Sequence, residues 1–191
     1  MKNLKTIALA VIVALGSLTA TAQTNKKIDT KKSSITWVGK KVTGQHSGTI
    51  NFTEGTLVVN GKSIRGGSFT VDMTSIIATD LEAGKGKEKL EGHLKADDFF
   101  GVDKYPTAKL EIKLISDNGD GTFNVSANLT IKDQTNPVTF TLKSTSRSTA
   151  TATLKIDRTK YGIKYGSGSF FEGLGDKAIS DEFELTVNLV Y

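Results

Sequence analysis

The sequence predicts an all-β fold, an extended eight-stranded antiparallel β-barrel with short helical segments near residues 87–100. Three observations carry this. Apolar and polar residues alternate over roughly eight separate stretches, as strands do when one face meets a core and the other meets water. Turn-forming clusters separate the stretches: Asn60-Gly61, Asp117-Asn118-Gly119-Asp120-Gly121 and Asn136-Pro137. Several stretches also run about ten residues, or roughly 33 Å at about 3.3 Å per residue. That exceeds the usual sandwich strand and favours a closed barrel with a deep interior.

The strands are read in order as follows. Ile35 and Trp37 share one face of the first. Ile50 and Phe52 begin another, and Leu57 and Val59 follow beyond Gly55. Phe69, Val71 and Met73 line up next, then Leu110, Ile112 and Leu114. Phe123, Val125, Ala127, Leu129 and Ile131 give the cleanest alternation, followed by Val138, Phe140 and Leu142, then Ala152, Leu154 and Ile156. Ile179, Phe183, Leu185, Val187 and Leu189 close the chain, with Asp181 the single polar residue on that face.

Two segments break the alternation. In Asp80–Lys95, Leu90 and Leu94 are spaced i, i+4 among charged residues, which predicts a short amphipathic helix over Lys87–Leu94 limited by Gly84 and Gly86. It leads into EGHLKADDFFGVDKYPTAKLEI, where Asp97 is expected to cap a helical turn that points Phe99 and Phe100 inward. Tyr105-Pro106 then starts the next strand from extended backbone. The second segment, Tyr161–Asp181, has five glycines and the pair Phe170-Phe171. It is expected to form a mobile rim whose two aromatic rings fold over an opening.

The amino terminus reads as an export signal. Lys2 and Lys5 precede an apolar run, Ile7–Leu15, and Ala20-Thr21-Ala22 supplies a small-residue cleavage pattern. Residues 1–22 are therefore expected to be a cleaved signal peptide and residues 23–191 one domain, periplasmic or secreted. The apolar run is shorter than the ~20 residues a bilayer-spanning helix needs, so no transmembrane segment is expected in the mature chain. Loss of Lys2 and Lys5 lowers the formal charge from +5 to +3. That charge is scattered rather than gathered into a basic stripe, which argues against a nucleic-acid partner. With no cysteine, apolar burial alone must carry stability.

Catalytic and metal chemistry find little support. His46 and His93 lie in separate segments without metal-ligand spacing, and the Asp117 loop lacks the distal glutamate of a calcium loop. No Gly-x-Ser-x-Gly elbow occurs. His93, Asp97 and Asp98 read as cap and corner, and Gly166-Ser167-Gly168 as a flexible loop. The apolar faces keep two readings, a filled core or a cavity for a long apolar molecule. Aromatic residues make up only 7% and Ala, Thr and Gly interleave the strands, which favours the cavity.

Four stretches together resemble the YceI family of exported bacterial polyisoprenoid- and lipid-binding proteins: KIDTKKSSITWVGKK, GHLKADDFFGVDKYPTAKLEI, NLTIKDQTNPVTFTL, and IDRTKYGI with AISDEFELTVNL. The resemblance spans about Lys27 to Leu189. It implies a lipocalin-like barrel with a long apolar interior that holds an isoprenoid or fatty chain, without cofactor, metal or catalytic residues. By position, the lining role falls on Trp37, Phe52, Phe69, Val71, Leu110, Ile112, Phe140 and Leu142, with Phe99, Phe100, Phe170 and Phe171 at the ends. Asn136-Pro137 and the glycine-rich loop depart from the family pattern. Lys132, Arg158 and Lys160, the basic residues nearest those departures, are expected on solvated faces. The partner implied is a long-chain lipid, isoprenoid or fatty acid derivative, and a homodimer is compatible with the sequence. Two rival readings stay open. One is a lipid or diphosphate hydrolase at the barrel mouth, using His93, Asp97 or Asp181 as base and Arg158 against phosphate. The other is a structural module with a filled core.

Overall fold

The computed structural model describes residues 23–61 and 63–191; the expected signal peptide, residues 1–22, lies outside the described residues. Nine strands follow one another: β1 (Thr24–Lys27), β2 (Ser34–Lys41), β3 (Gly44–Asn60), β4 (Ser63–Ala78), β5 (Thr107–Asp117), β6 (Thr122–Ile131), β7 (Gln134–Ser146), β8 (Thr149–Asp157) and β9 (Ile179–Val190). Among the described residues a single α-helix, α1 (Lys87–Lys95), interrupts them. Strands β2 to β9 close an eight-stranded antiparallel barrel, each paired with its sequence neighbour, and β2 pairs with β9 to complete the ring. The extra strand β1 continues the line of β2 along β3, pairing Thr24 with Val59 and Lys27 with Thr56.

The apolar alternation breaks where the ladder bulges, because an inserted residue swaps which face the next side chains occupy. Strand β3 runs for 17 residues and carries both of its apolar sets. Phe52 pairs with Val71 and Glu54 with Thr70, so the extra residue Thr53 switches the inward set from Ile50 and Phe52 to Gly55, Leu57 and Val59. A second bulge at Lys113 corrects one expectation. Ile112 and Ile115 face the interior while Leu114 turns outward and is 69% exposed. A wider irregularity in β4 lies between Asp72 and Ile77 and presents both Met73 and Ile76 to the core. There the Asp72 carboxylate accepts from the Thr74 N–H, and Ser75 Oγ accepts from the Asn51 N–H.

Two glycines are imposed by close approach. A β-carbon on Gly48 would lie 1.8 Å from the Ile77 carbonyl oxygen and 2.6 Å from the Trp37 indole. One on Gly55 would meet the Phe69 ring at 2.6 Å. Each aromatic ring covers the glycine paired with it across the ladder.

The β6–β7 turn falls at Lys132-Asp133, both with positive φ, as a two-residue hairpin of this twist requires. This corrects the expected turn at Asn136-Pro137, which lies inside β7. Pro137 is tolerated because β8 pairs with β7 only from Thr141 onward, leaving no neighbour on that side that needs its N–H. At this same end β7 and β8 part, and a short 3-10 turn, Arg158–Tyr161, packs against β7.

Helix α1 starts at Gly86, which adopts the left-handed conformation. Glu88 accepts from the Gly84 N–H and Glu91 from the Ala78 N–H, fastening the helix beside the end of β4. The corner after it buries Phe99 and Phe100, as expected, but Asp97 does not cap it. The Asp97 carboxylate pairs with Lys104 at 2.6 Å, and the corner's free carbonyls, those of Asp97 and Phe99, accept from Lys132 Nζ at 2.8 Å each. Lys132 is thereby committed to the fold. Among the described residues no helix is long and apolar enough to cross a membrane.

Candidate functional site

Inward side chains of all eight barrel strands leave two adjoining apolar chambers along the interior. The outer one, of about 120 Å³, lies at the end capped by α1 and the Phe99-Phe100 corner. Trp37, Met73, Ile76, Leu94, Phe99, Phe100 and Phe183 are among its walls. The inner one, of about 80 Å³, is walled by Phe52, Phe69, Leu110, Ile112, Phe140 and Leu142, with Ala152 and Leu154 opposite. Four residues border both chambers, Ile35, Val71, Leu129 and Leu185, and form a waist contributed by β2, β4, β6 and β9. Beyond the inner chamber, buried Phe123 pairs across the ladder with Leu142 and stands between it and a polar bowl at the hairpin end.

The residues singled out by sequence are distributed unevenly over this interior. Trp37, Phe99 and Phe100 wall the outer chamber, Val71 the waist, and Phe52, Phe69, Leu110, Ile112, Phe140 and Leu142 the inner chamber. Phe170 and Phe171 line neither, and stand 48% and 50% exposed. Sequence reading placed Met73 on the same face as Val71 without giving it a lining role, and overlooked Ile76, which depends on the irregular register of β4. It also overlooked Leu94 of α1, and the β9 residues Phe183 and Leu185, although their alternation was visible.

Arg158 is the largest correction. Expected on a solvated face, it is 2% exposed and borders the outer chamber. Its Nε donates to the Ser180 carbonyl at 2.9 Å, and its terminal nitrogens donate to those of Ile163 at 2.9 Å and Ile179 at 3.1 Å. The Asp181 carboxylate lies 3.6 Å away. Burial lowers the Arg158 pKa, opposed by Asp181 and Asp157, but an arginine stays charged regardless. For Asp181, burial works against ionisation, yet hydrogen bonds from the Ser167 and Ser169 hydroxyls and the Arg158 charge hold its carboxyl below the usual range. The one available signal for this buried pair was Asp181 itself, a lone carboxylate on an apolar strand face. The guanidinium thus fastens the loop after β8 to the start of β9.

The groups named for catalysis are not assembled around a reacting centre. His93 Nε2 is 3.7 Å from Asp98 and makes no hydrogen bond, its ring packed edge-on against Phe99 and Tyr165. Asp97 belongs to Lys104 and Asp181 to Arg158. Among the described residues no group of three or more His, Cys, Asp or Glu side chains is placed to hold a metal ion.

The loop from Tyr161 to Ala178 is more ordered than its glycines suggest. Ser167 is fully buried and bridges to Ile179. The N–H groups of Phe170 and Phe171 both donate to the Ser167 carbonyl, and Ser169 Oγ donates to Asp181 at 2.5 Å. These bonds hold the two phenylalanines outward rather than over the opening.

Comparison with solved structures finds the same fold. Burkholderia cenocepacia BcnA matches with a TM-score of 0.68 at 22% identity, over 86% of this chain and 99% of that one. A polyisoprenoid binding domain from Saccharophagus degradans matches at 0.57 and 16%, over 85% of this chain and 95% of that one. A Campylobacter jejuni YCEI protein matches at 0.52 and 17%, over 73% and 81% respectively. No curated protein matches the sequence. The family model for the YceI-like domain covers residues 27–191, and the chain, whose barrel, capping helix and closing strands fall within that span, belongs to the YceI family.

Proposed function

We propose that this protein is an exported, non-enzymatic binding protein that holds a long-chain lipid or isoprenoid inside the barrel for transport, storage or sequestration across an aqueous compartment. The observation that carries this reading is the pair of in-line chambers, whose walls are almost wholly apolar. The solved polyisoprenoid binding domain of the same fold supports it. The dimensions refine the ligand class. A space for one water measures about 10–15 Å³, so chambers of about 120 and 80 Å³ admit on the order of 13–20 methylene-sized groups. At about 0.8 kcal/mol per buried methylene, a chain of about 15 carbons gains about 12 kcal/mol before the costs of association and ordering. A longer isoprenoid leaves part of its length outside. Solvent extraction and native mass spectrometry of the purified protein are expected to show a bound lipid, or uptake of added fatty or prenyl chains. Absence of both overturns the reading.

A further inference from the structure

The exposed aromatic tip of the 161–178 loop has no role in the interior, and its position assigns it one. Phe170 and Phe171 are adjacent, each about half exposed, and held outward by the turn on Ser167. Val42, 67% exposed in the β2–β3 turn, is joined to the base of the same loop by the bond from its N–H to the Ala178 carbonyl. A shallow hollow bordered by Val42, Gly168 and Ser169 shares Ile179 and Ser180 with the wall of the outer chamber. The apolar tip therefore stands at the capped end of the barrel, beside the wall of the outer chamber.

We propose that this tip docks the protein on the surface of a lipid bilayer, with Phe170 and Phe171 inserted among the acyl chains and the outer chamber facing the membrane. The inference rests on the lipid-holding reading above. Phenylalanines on an otherwise polar rim are the side chains that enter the headgroup–acyl boundary favourably. Lys164, whose Nζ lies 4.4 Å from the Phe170 ring centroid, is placed to reach headgroup phosphates while its stem follows the ring. The tip's charges balance: exposed Lys164 and Lys177 are offset by exposed Glu172 and Asp176. Insertion of apolar rings rather than net charge holds the surface, so neutral and anionic bilayers serve alike. The turn also explains why two large rings face water. Bonds from Ser169 and Ser167 fix the loop's backbone and keep the rings from folding back.

Flotation of the purified protein with phosphatidylcholine vesicles, alone and mixed with phosphatidylglycerol, tests this against the double variant F170S/F171S. The parent protein is expected to float with both compositions and to be little affected by salt. The double variant is expected to lose about tenfold or more of its vesicle partition. Leu114→Ser, removing an exposed apolar residue on the barrel wall near the opposite end, is expected to leave partition unchanged. Uptake of a fatty chain from a cyclodextrin donor should be equal in the parent and the double variant, while uptake from vesicles should be slower in the variant. Equal vesicle partition in parent and double variant, or binding to anionic vesicles alone that salt abolishes, overturns the proposal. So does sedimentation showing that the rings instead hold two copies of the chain together. Failure to take up lipid from cyclodextrin would overturn the interior's role while leaving flotation to judge the tip.

Discussion

Filling the waist should shorten the ligand the barrel accepts without closing it. Val71 borders both chambers, and Val71→Phe places a ring where a continuous chain has to pass. The inner chamber of about 80 Å³ accommodates on the order of 5–8 methylene-sized groups. At about 0.8 kcal/mol each, a long chain denied that space loses about 4–6 kcal/mol of favourable burial, or about a thousandfold or more in affinity. A chain of about eight carbons, which the outer chamber holds by itself, should bind the variant and the parent nearly equally. Calorimetric titration with saturated fatty acids of graded length reads this directly: affinity should climb with length in the parent and level off early in the variant. Overpacking costs about 1–3 kcal/mol of stability, so a thermal melt establishes that the variant is folded before titration. If affinity falls by the same factor at every length, the chambers do not act in series and the reasoning fails.

Two further outcomes follow from the buried polar groups. Arg158→Met should destabilise the fold by about 3–5 kcal/mol, because three carbonyls and the Asp181 carboxylate lose their partner. Denaturant unfolding measures it, and a loss under about 1 kcal/mol would show the pair to be dispensable. Tyr161 is 1% exposed, its hydroxyl has no partner, and burial, with the Asp157 charge, pushes its pKa up to about 12. A raised folded-state pKa contributes fully below the ordinary value of 10.0 and is lost as pH rises toward about 12. Tyr161→Phe should therefore match or exceed the parent's stability at neutral pH and lose less of it between pH 10 and 12, which thermal melts across that range check.

Much of the barrel was legible because alternation reports burial directly. The five inward residues of β6 and the closing strand β9 were placed by period alone. What escaped was register. A bulge leaves no mark in composition, so Thr53 and Lys113 silently changed which neighbours face inward, and Leu114 was assigned to the wrong side. The turn at Lys132-Asp133 escaped because only Asp133 is a turn-former there, whereas Asn136 and Pro137 both are, and the missing β8 partner allows proline inside β7. Arg158 was misplaced because a charged residue is normally solvated, and its three carbonyl acceptors and the Asp181 carboxylate come from segments that fold back on it. Chamber walls on β2, β3, β4, β5 and β7 were named by position from the family resemblance, while Leu129 of β6, visible in the alternation, was not given a lining role. Leu94 of α1 and Ile76 in the irregular part of β4 depend on three-dimensional placement that no periodicity conveys.

The seam between β2 and β9 carries a consequence for how the barrel closes. It joins segments about 150 residues apart, as in the contact of Thr36 with the Thr186 carbonyl. Every other wall joint of the ring links strands adjacent in sequence, so hairpins can accumulate as the chain emerges while the sheet remains an open trough. Enclosure waits for the last dozen residues to zip into place, a step burdened by the largest loop-closure entropy in the molecule. Until then the greasy face is bare to passing chains and to lipid alike, and a hydrocarbon resting in the trough would template the final closure.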